Sequence, residues 1–259
     1  MAEDEEVVFT TSTGPVRVIT AASLFDGHDA AINVMRRLIQ SSGAEVIHLG
    51  HDQSAKAVVD CAIQEDAHAV ALTSYQGGHV EYFTYIRQLL DEAGCEHVRI
   101  FGGGGGTITP PEIRTLHQSG ISKIYSPDDG RTMGLMGMIH HLMGMASEVD
   151  LVGKERMDSL NGPVTPDDMA KVGLLLTLSE SADEKAFKAA VEACRSSDKD
   201  VPVIGFTGTG GAGKSSLLDE LMLRIQRDNP GKKVCLLCVD PTRKRTGGAL
   251  LGDRIRMNS

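Results

Sequence analysis

From Val16 onward, short apolar runs alternate with longer segments in which apolar positions recur every three or four residues. The runs are 16–22, 44–49, 69–73, 97–101 and 122–125. Their length and aliphatic content predict buried strands. Between them, 30–40 places Ile32, Met35, Leu38 and Ile39 on one helical face. Segments 54–65, 81–93, 111–119 and a Met-rich 130–145 also read as helices. Five strands alternating with five helices predict a parallel sheet covered on both faces. The repeat is too short for an eight-unit barrel, so the pattern predicts an α/β, flavodoxin-like doubly wound sheet. Ligands of such sheets bind beyond the carboxyl ends of the strands. That rule singles out the loops 23–29, 74–80 and 102–110.

The beat changes on either side of this region. Residues 1–14 are acidic and then polar, and predict a disordered tail. The regular pattern occupies 15–147. Residues 148–164, with charge and then Asn161-Gly-Pro163, read as a linker. A helix is predicted over 165–178, capped by Thr165, and a second over 182–195. Val201–Thr207 and Val234–Val239 are strand-like, and a glycine loop with a helix behind it lies between them. Residues 165–259 therefore read as the first part of a second α/β domain, not a complete one.

Composition narrows the function classes. A net charge of −9 argues against a partner held by neutralising a nucleic-acid backbone. No apolar run is long enough to span a membrane. Cys61, Cys95, Cys194, Cys235 and Cys238 are scattered, which fits a reducing cytoplasm. Cys235 and Cys238 form C-x-x-C inside a strand-like run, without the second pair a zinc site needs. They are expected to be buried core thiols.

The three loops carry the candidate chemistry. The first holds Asp26-Gly-His28-Asp-Ala-Ala31, a carboxylate two residues before a histidine. This pattern suits a turn with a helix cap. Its place at the ligand edge of the sheet also suits a metal-bound imidazole whose second nitrogen is held by a carboxylate. The second loop follows Thr73-Ser74-Tyr75, and the third opens on the five glycines Gly102–Gly106. Five glycines are costly to order, and their expected use is close approach of backbone to a bulky ligand.

Together these three elements resemble the cobalamin-binding domain of adenosylcobalamin-dependent acyl-CoA mutases. The resemblance covers about 15–147 and implies that His28 is the lower axial cobalt ligand, with Asp26 as its hydrogen-bonding partner. It implies that the displaced nucleotide tail of the cofactor enters the sheet beside Thr73, Ser74, Gly103 and Gly104. The chain departs from that pattern in having Ala31 where glycine is usual, and Thr73-Ser-Tyr75 where Ser-x-Leu is usual.

Downstream, Gly208-Thr-Gly-Gly-Ala-Gly-Lys214-Ser215 fits GxxxxGK[ST] and sits between a strand-like run and a helix. Backbone N–H groups from Gly208, Gly210, Gly211, Ala212 and Gly213 can surround a diphosphate. Lys214 would neutralise the outer phosphates and is the candidate catalytic residue. Ser215 would hold Mg²⁺ through its hydroxyl, and Ser216 continues the helix N-terminus. Asp240, at the end of the second strand-like run, is placed to hold Mg²⁺ or its water, or to end a turn. Asp253 lies in a segment that could order around Mg²⁺.

The loop and the Asp240–Asp253 run resemble the GTPases that act as chaperones for cobalamin-dependent mutases. That resemblance implies GTP as the nucleotide and Asp240 and Asp253 as magnesium-site residues. The guanine-reading Asn-Lys-x-Asp element is not present in these 259 residues.

The order of the two segments resembles a family of fused acyl-CoA mutases with an in-line G-protein chaperone and a C-terminal substrate barrel. It implies radical interconversion of isobutyryl-CoA and n-butyryl-CoA, GTP hydrolysis that gates cofactor loading, a homodimer, and a cobalamin-delivering adenosyltransferase as partner. Two other readings remain open. One is a non-enzymatic cobalamin carrier acting on a separate mutase subunit, and the other a nucleotide-driven ATPase joined to a flavodoxin-like response module.

Overall fold

The computed structural model describes residues 9–165, 167–181, 183–195 and 201–238. Two compact units divide the chain, 1–198 and 199–259. In the first, a small antiparallel hairpin of β1 (Thr10–Thr11) and β2 (Gly14–Pro15) leads into β3 (Arg17–Ser23). The chain continues through α1 (Asp29–Ser41), β4 (Glu45–Gln53), α2 (Ala55–Gln64), β5 (Ala69–Thr73), α3 (His79–Glu92), β6 (Arg99–Gly103), α4 (Pro110–Gln118), β7 (Lys123–Tyr125) and α5 (Pro127–Ser147). The sheet order is β4-β3-β5-β6-β7, all parallel. Strand order reverses between β3 and β5, so a crevice opens there at the carboxyl edge.

The period of two expected of strands divides the core cleanly. Ile19, Ala21, Val70, Leu72 and Ile100 pack under α2, α3 and α4. Val18, Ala69, Ala71 and Phe101 pack on the other face, against α1 and α5. Every residue of β5 is buried, as expected of a central parallel strand covered twice.

Capping sets the helix starts. Ser126 and Asp129 satisfy each other's backbone N–H groups, so α5 opens at Pro127 rather than near 130. Its interior breaks at Gly134, with φ 67° and ψ 173°, a region essentially confined to glycine. Helix α7 (Met169–Glu180) begins later than expected. Thr165 does not cap it: the Thr165 N–H and hydroxyl both donate to Asp168 Oδ2 at 2.8 Å.

Three further expectations change. Residues 9–14 are not a loose tail: they join the hairpin, and Phe9 packs on the α1/α5 core. The segment read as a linker contains α6 (Lys154–Ser159). Helix α7 and helix α8 (Glu184–Cys194), read as the opening of the second domain, lie within the first unit and share a small core with Leu160.

Charge explains that docking. Asp66 is buried at the amino edge of the sheet. It accepts from Arg156 at 2.5 Å and from the Thr177 hydroxyl at 2.6 Å. Arg17 Nη2 donates to Thr177 Oγ1 at 2.6 Å and lies 3.7 Å from Asp66 Oδ2. One carboxylate thus links β3, α6 and α7. His68 accepts the Arg17 backbone N–H on Nδ1 at 3.0 Å. Burial, reinforced by the Arg17 charge, lowers its pKa to about 4.

In the second unit, α9 (Lys214–Asp228) forms behind the glycine loop. The expected strands at 201–207 and 234–239 do not form among the described residues: both runs lack ladder partners there. Val203 and Leu237 are exposed accordingly. Cys235 and Cys238 are likewise exposed rather than buried, because no neighbouring strand covers them among the described residues.

Replacing Asp66 with alanine leaves Arg17 and Arg156 without their buried counter-charge. A loss of about 3–5 kcal/mol in unfolding free energy is expected by denaturant titration. His68 protonates at about pH 6.5 when unfolded, but near 4 when folded. Its contribution is complete above pH 6.5 and is lost as pH falls toward 4. NMR titration of its ring should give a midpoint near 4; a midpoint near 6.5 would contradict the burial account.

Candidate functional site

Beyond β3 the chain turns sharply, with the Asp26 N–H donating to the Ser23 carbonyl at 3.0 Å. This turn drives the Asp26 side chain inward, where it is fully buried (0% exposed). Its Oδ1 accepts the His28 backbone N–H at 2.9 Å and lies 2.8 Å from His28 Nδ1. Its Oδ2 accepts the Tyr75 backbone N–H at 2.6 Å. Burial alone would raise the carboxyl pKa. The Tyr75 and His28 N–H groups and the His28 ring outweigh it and hold the pKa below the ordinary value.

An ionised Asp26 selects the imidazole tautomer with its proton on Nδ1. That leaves the Nε2 lone pair directed away from the carboxylate. The His28 side chain is 62% exposed. It stands at the N-cap of α1 but makes no side-chain capping bond. Asp26 thus performs the turn function through His28 N–H and the ring-orienting function at once. The Tyr75 ring lies beside the imidazole, with centroids 5.5 Å apart.

Next to this pair, a cavity of about 470 Å³ opens between α1 and α5 over the ends of β5 and β6. Its wall is largely apolar, with Ile32, Met35, Phe101, Leu135 and Met138 prominent. Thr73 lines it too, and its buried hydroxyl has no hydrogen-bond partner in the structure. Such a group calls for a polar partner. Ser74 bonds the other strands: its hydroxyl accepts from Ser23 Oγ at 3.0 Å, and its N–H donates to Gly103 O at 2.9 Å.

The glycine run has a reason inside the protein. A Cβ on Gly104 would collide with the Ser74 carbonyl, whereas one on Gly103 would come no nearer than 3.6 Å to the Tyr125 carbonyl. Close approach of backbone to backbone, not only to a ligand, therefore requires Gly104.

The fold brings Asp26, His28, Thr73, Ser74, Gly103 and Gly104 to one edge of one sheet. Sequence reading missed the apolar wall from α1 and α5. The signal was available in the adjacent apolar Val34 and Met35, and in the methionines at 133, 136 and 138. It also missed the Tyr75 N–H, since no side-chain pattern reports a backbone donor.

In the second unit, the loop 208–213 curls around the lysine that follows it. Lys214 Nζ donates to the Gly208 and Thr209 carbonyls, each at 2.9 Å. Gly210, Gly211, Ala212 and Gly213 complete the loop, and Ser215 and Ser216 lie in the first turn of α9. The ammonium thus already sits at the loop carbonyls. Asp240 and Asp253 lie outside the described residues.

Two family models match the chain: the B12 binding domain over 16–126, and Methylmalonyl Co-A mutase-associated GTPase MeaB over 172–259. A fused isobutyryl-CoA mutase of Geobacillus kaustophilus is 51% identical over 251 residues, covering 94% of this chain and 23% of that protein. Another, from Nocardia farcinica, is 52% identical over 246 residues, covering 95% of this chain and 22% of that protein. The 2-hydroxyisobutanoyl-CoA mutase small subunit of Aquincola tertiaricarbonis is 34% identical over 115 residues, covering 44% of this chain and 82% of that subunit. The chain spans less than a quarter of the length of the two fused relatives.

Gly104→Ala should destabilise the chain by about 1–3 kcal/mol, through the forced separation of β6 from the Ser74 carbonyl. Gly103→Ala should have a far smaller effect. Equal effects in thermal unfolding would remove the close-approach account.

Proposed function

We propose that this chain, which belongs to the fused isobutyryl-CoA mutase family, binds cobalamin in its first unit, where His28 Nε2 would hold the cobalt. The observation that carries this reading is the buried Asp26 carboxylate. It holds the His28 ring by Nδ1 at 2.8 Å and leaves the second nitrogen for a metal, the arrangement typical of metal-bound histidines. The adjoining cavity, with an unpaired Thr73 hydroxyl in an apolar wall, suits a flat heteroaromatic tail with one polar edge. Ser74, Gly103 and Gly104 shape that wall.

Adenosylcobalamin, when bound, supplies the organic radical needed to rearrange an acyl-CoA carbon skeleton. The residues of this chain hold and orient the cofactor. Asp26 fixes the tautomer and orientation of the His28 ring. Conversion of isobutyryl-CoA to n-butyryl-CoA also requires a substrate-binding barrel, the expected partner of this unit. The match to a mutase small subunit supports a cobalamin unit that serves a barrel elsewhere.

In the second unit, the proposed ligand is GTP with Mg²⁺. Backbone N–H groups from Gly208 to Gly213 would surround the phosphates. Lys214 would exchange the loop carbonyls for phosphate oxygens, and Ser215 would meet Mg²⁺. Asp240 and Asp253 are proposed as further magnesium-site residues on resemblance alone. Gating of cofactor loading by GTP hydrolysis is likewise proposed on resemblance alone.

The test is electron paramagnetic resonance of bound cob(II)alamin. Labelling the protein's histidines with ¹⁵N should convert each three-line nitrogen splitting to two lines. His28→Ala should abolish that dependence and weaken cobalamin binding at least about 10-fold. A splitting indifferent to both changes would show that the cofactor keeps its own base on cobalt.

A further inference from the structure

We propose that Asp52, on the edge strand β4, is a positioning residue that holds the His28 loop in its ligand-presenting shape. The inference rests on the axial-ligand reading above, but its origin is a separate feature of the sheet. Strands β3 and β4 run in register from Arg17 opposite Glu45 to Thr20 opposite His48. The register then slips twice: Ala21 lies opposite Gly50, and Ser23 opposite Gln53. Bulges of this kind bend a strand and re-aim its side chains, often next to functional sites. Here the extra length carries Asp52 alongside the loop that follows β3.

Asp52 grips that loop at two points. Its Oδ1 accepts the Phe25 backbone N–H at 2.7 Å, and its own N–H donates to the Asp26 carbonyl at 3.3 Å. The grip opposes a strain. Phe25 has φ 64°, an outlier for a bulky residue, and its side chain is 80% exposed, so packing does not repay the conformation. Asp52 itself has φ 56°, a region that Asp and Asn tolerate better than most residues. Released from Asp52, Phe25 would relax to negative φ. The following residue would then rotate, withdrawing the Asp26 carboxylate from the Tyr75 N–H and the His28 ring. Asp52 thus acts on His28 through the backbone and not by touching it.

Three substitutions in the whole chain separate acceptor, charge and strain. Asp52→Ala removes the acceptor. Asp52→Asn keeps an acceptor oxygen and the tolerance for positive φ. Asp52→Gly relieves the strain at position 52 but leaves Phe25 N–H unpaired. The first readout uses cobalamin-free protein: the ring ¹⁵N shifts of His28, which report its tautomer. Wild type and Asp52→Asn should show the Nδ1–H form, whereas Asp52→Ala and Asp52→Gly should show a mixture. The second readout is affinity for cob(II)alamin, expected to fall about 10-fold in Asp52→Ala and Asp52→Gly and to be restored in Asp52→Asn. A wild-type tautomer and affinity in Asp52→Ala would overturn the proposal, as would failure of Asp52→Asn to rescue. If wild-type protein gives no histidine splitting on cobalt, the axial-ligand reading fails, while the tautomer measurement still decides whether Asp52 holds the loop.

Discussion

A carboxylate removed from water must find donors within the protein, and the ligand edge of this sheet is organised around meeting that demand for Asp26. Its donors come from the start of α1 and from the loop after β5, in addition to the imidazole it orients. The loop after β3 and the loop after β5, 49 residues apart at Asp26 and Tyr75, are therefore held at one point. Because the N–H donors stabilise the charged form, the carboxylate stays ionised, and its ionisation fixes the His28 tautomer. The exposed ring is thereby ordered by a buried group, and the reactive nitrogen faces outward without a flexible side chain having to find its own orientation.

The same physics is used at the opposite edge for a different end. Asp66 is also a buried carboxylate, but its partners are two guanidinium groups and a threonine hydroxyl. There the outcome is adhesion: α6 and α7 are pinned to the amino edge of the sheet. The B12-binding match ends before these helices, and the GTPase match begins inside α7. A sequence-family boundary and a folding boundary thus fall in different places.

Much of this was legible in the chain. Alternating runs revealed the five parallel strands and the helices between them, because burial on both faces leaves an apolar signature that needs no partner to be recognised. Asp26, His28 and the glycine run were legible because their residue types are rare in combination and fall on one sheet edge. The bulges of β4 were not, since an extra residue in a strand changes only its register with a neighbour. Asp52 was invisible for that reason. So was the docking of α7, for Thr177 in an apolar helix announces nothing until Asp66 and Arg17 are placed beside it. Among the described residues, the runs 201–207 and 234–238 show the converse: strand-like composition forms no strand without a ladder partner.

The sequence by itself determined the fold class and singled out Asp26 and His28 as a candidate pair at the carboxyl edge of the sheet, both of which follow from local pattern and residue chemistry. Only the tertiary structure decided how that pair is held: by a Tyr75 backbone donor, by a bulged edge strand bearing Asp52, and by a Ser74 carbonyl that allows only glycine at 104. Each of these is a backbone-level contact between segments far apart in the chain. Side-chain identity does not encode such contacts until the sheet has set its register.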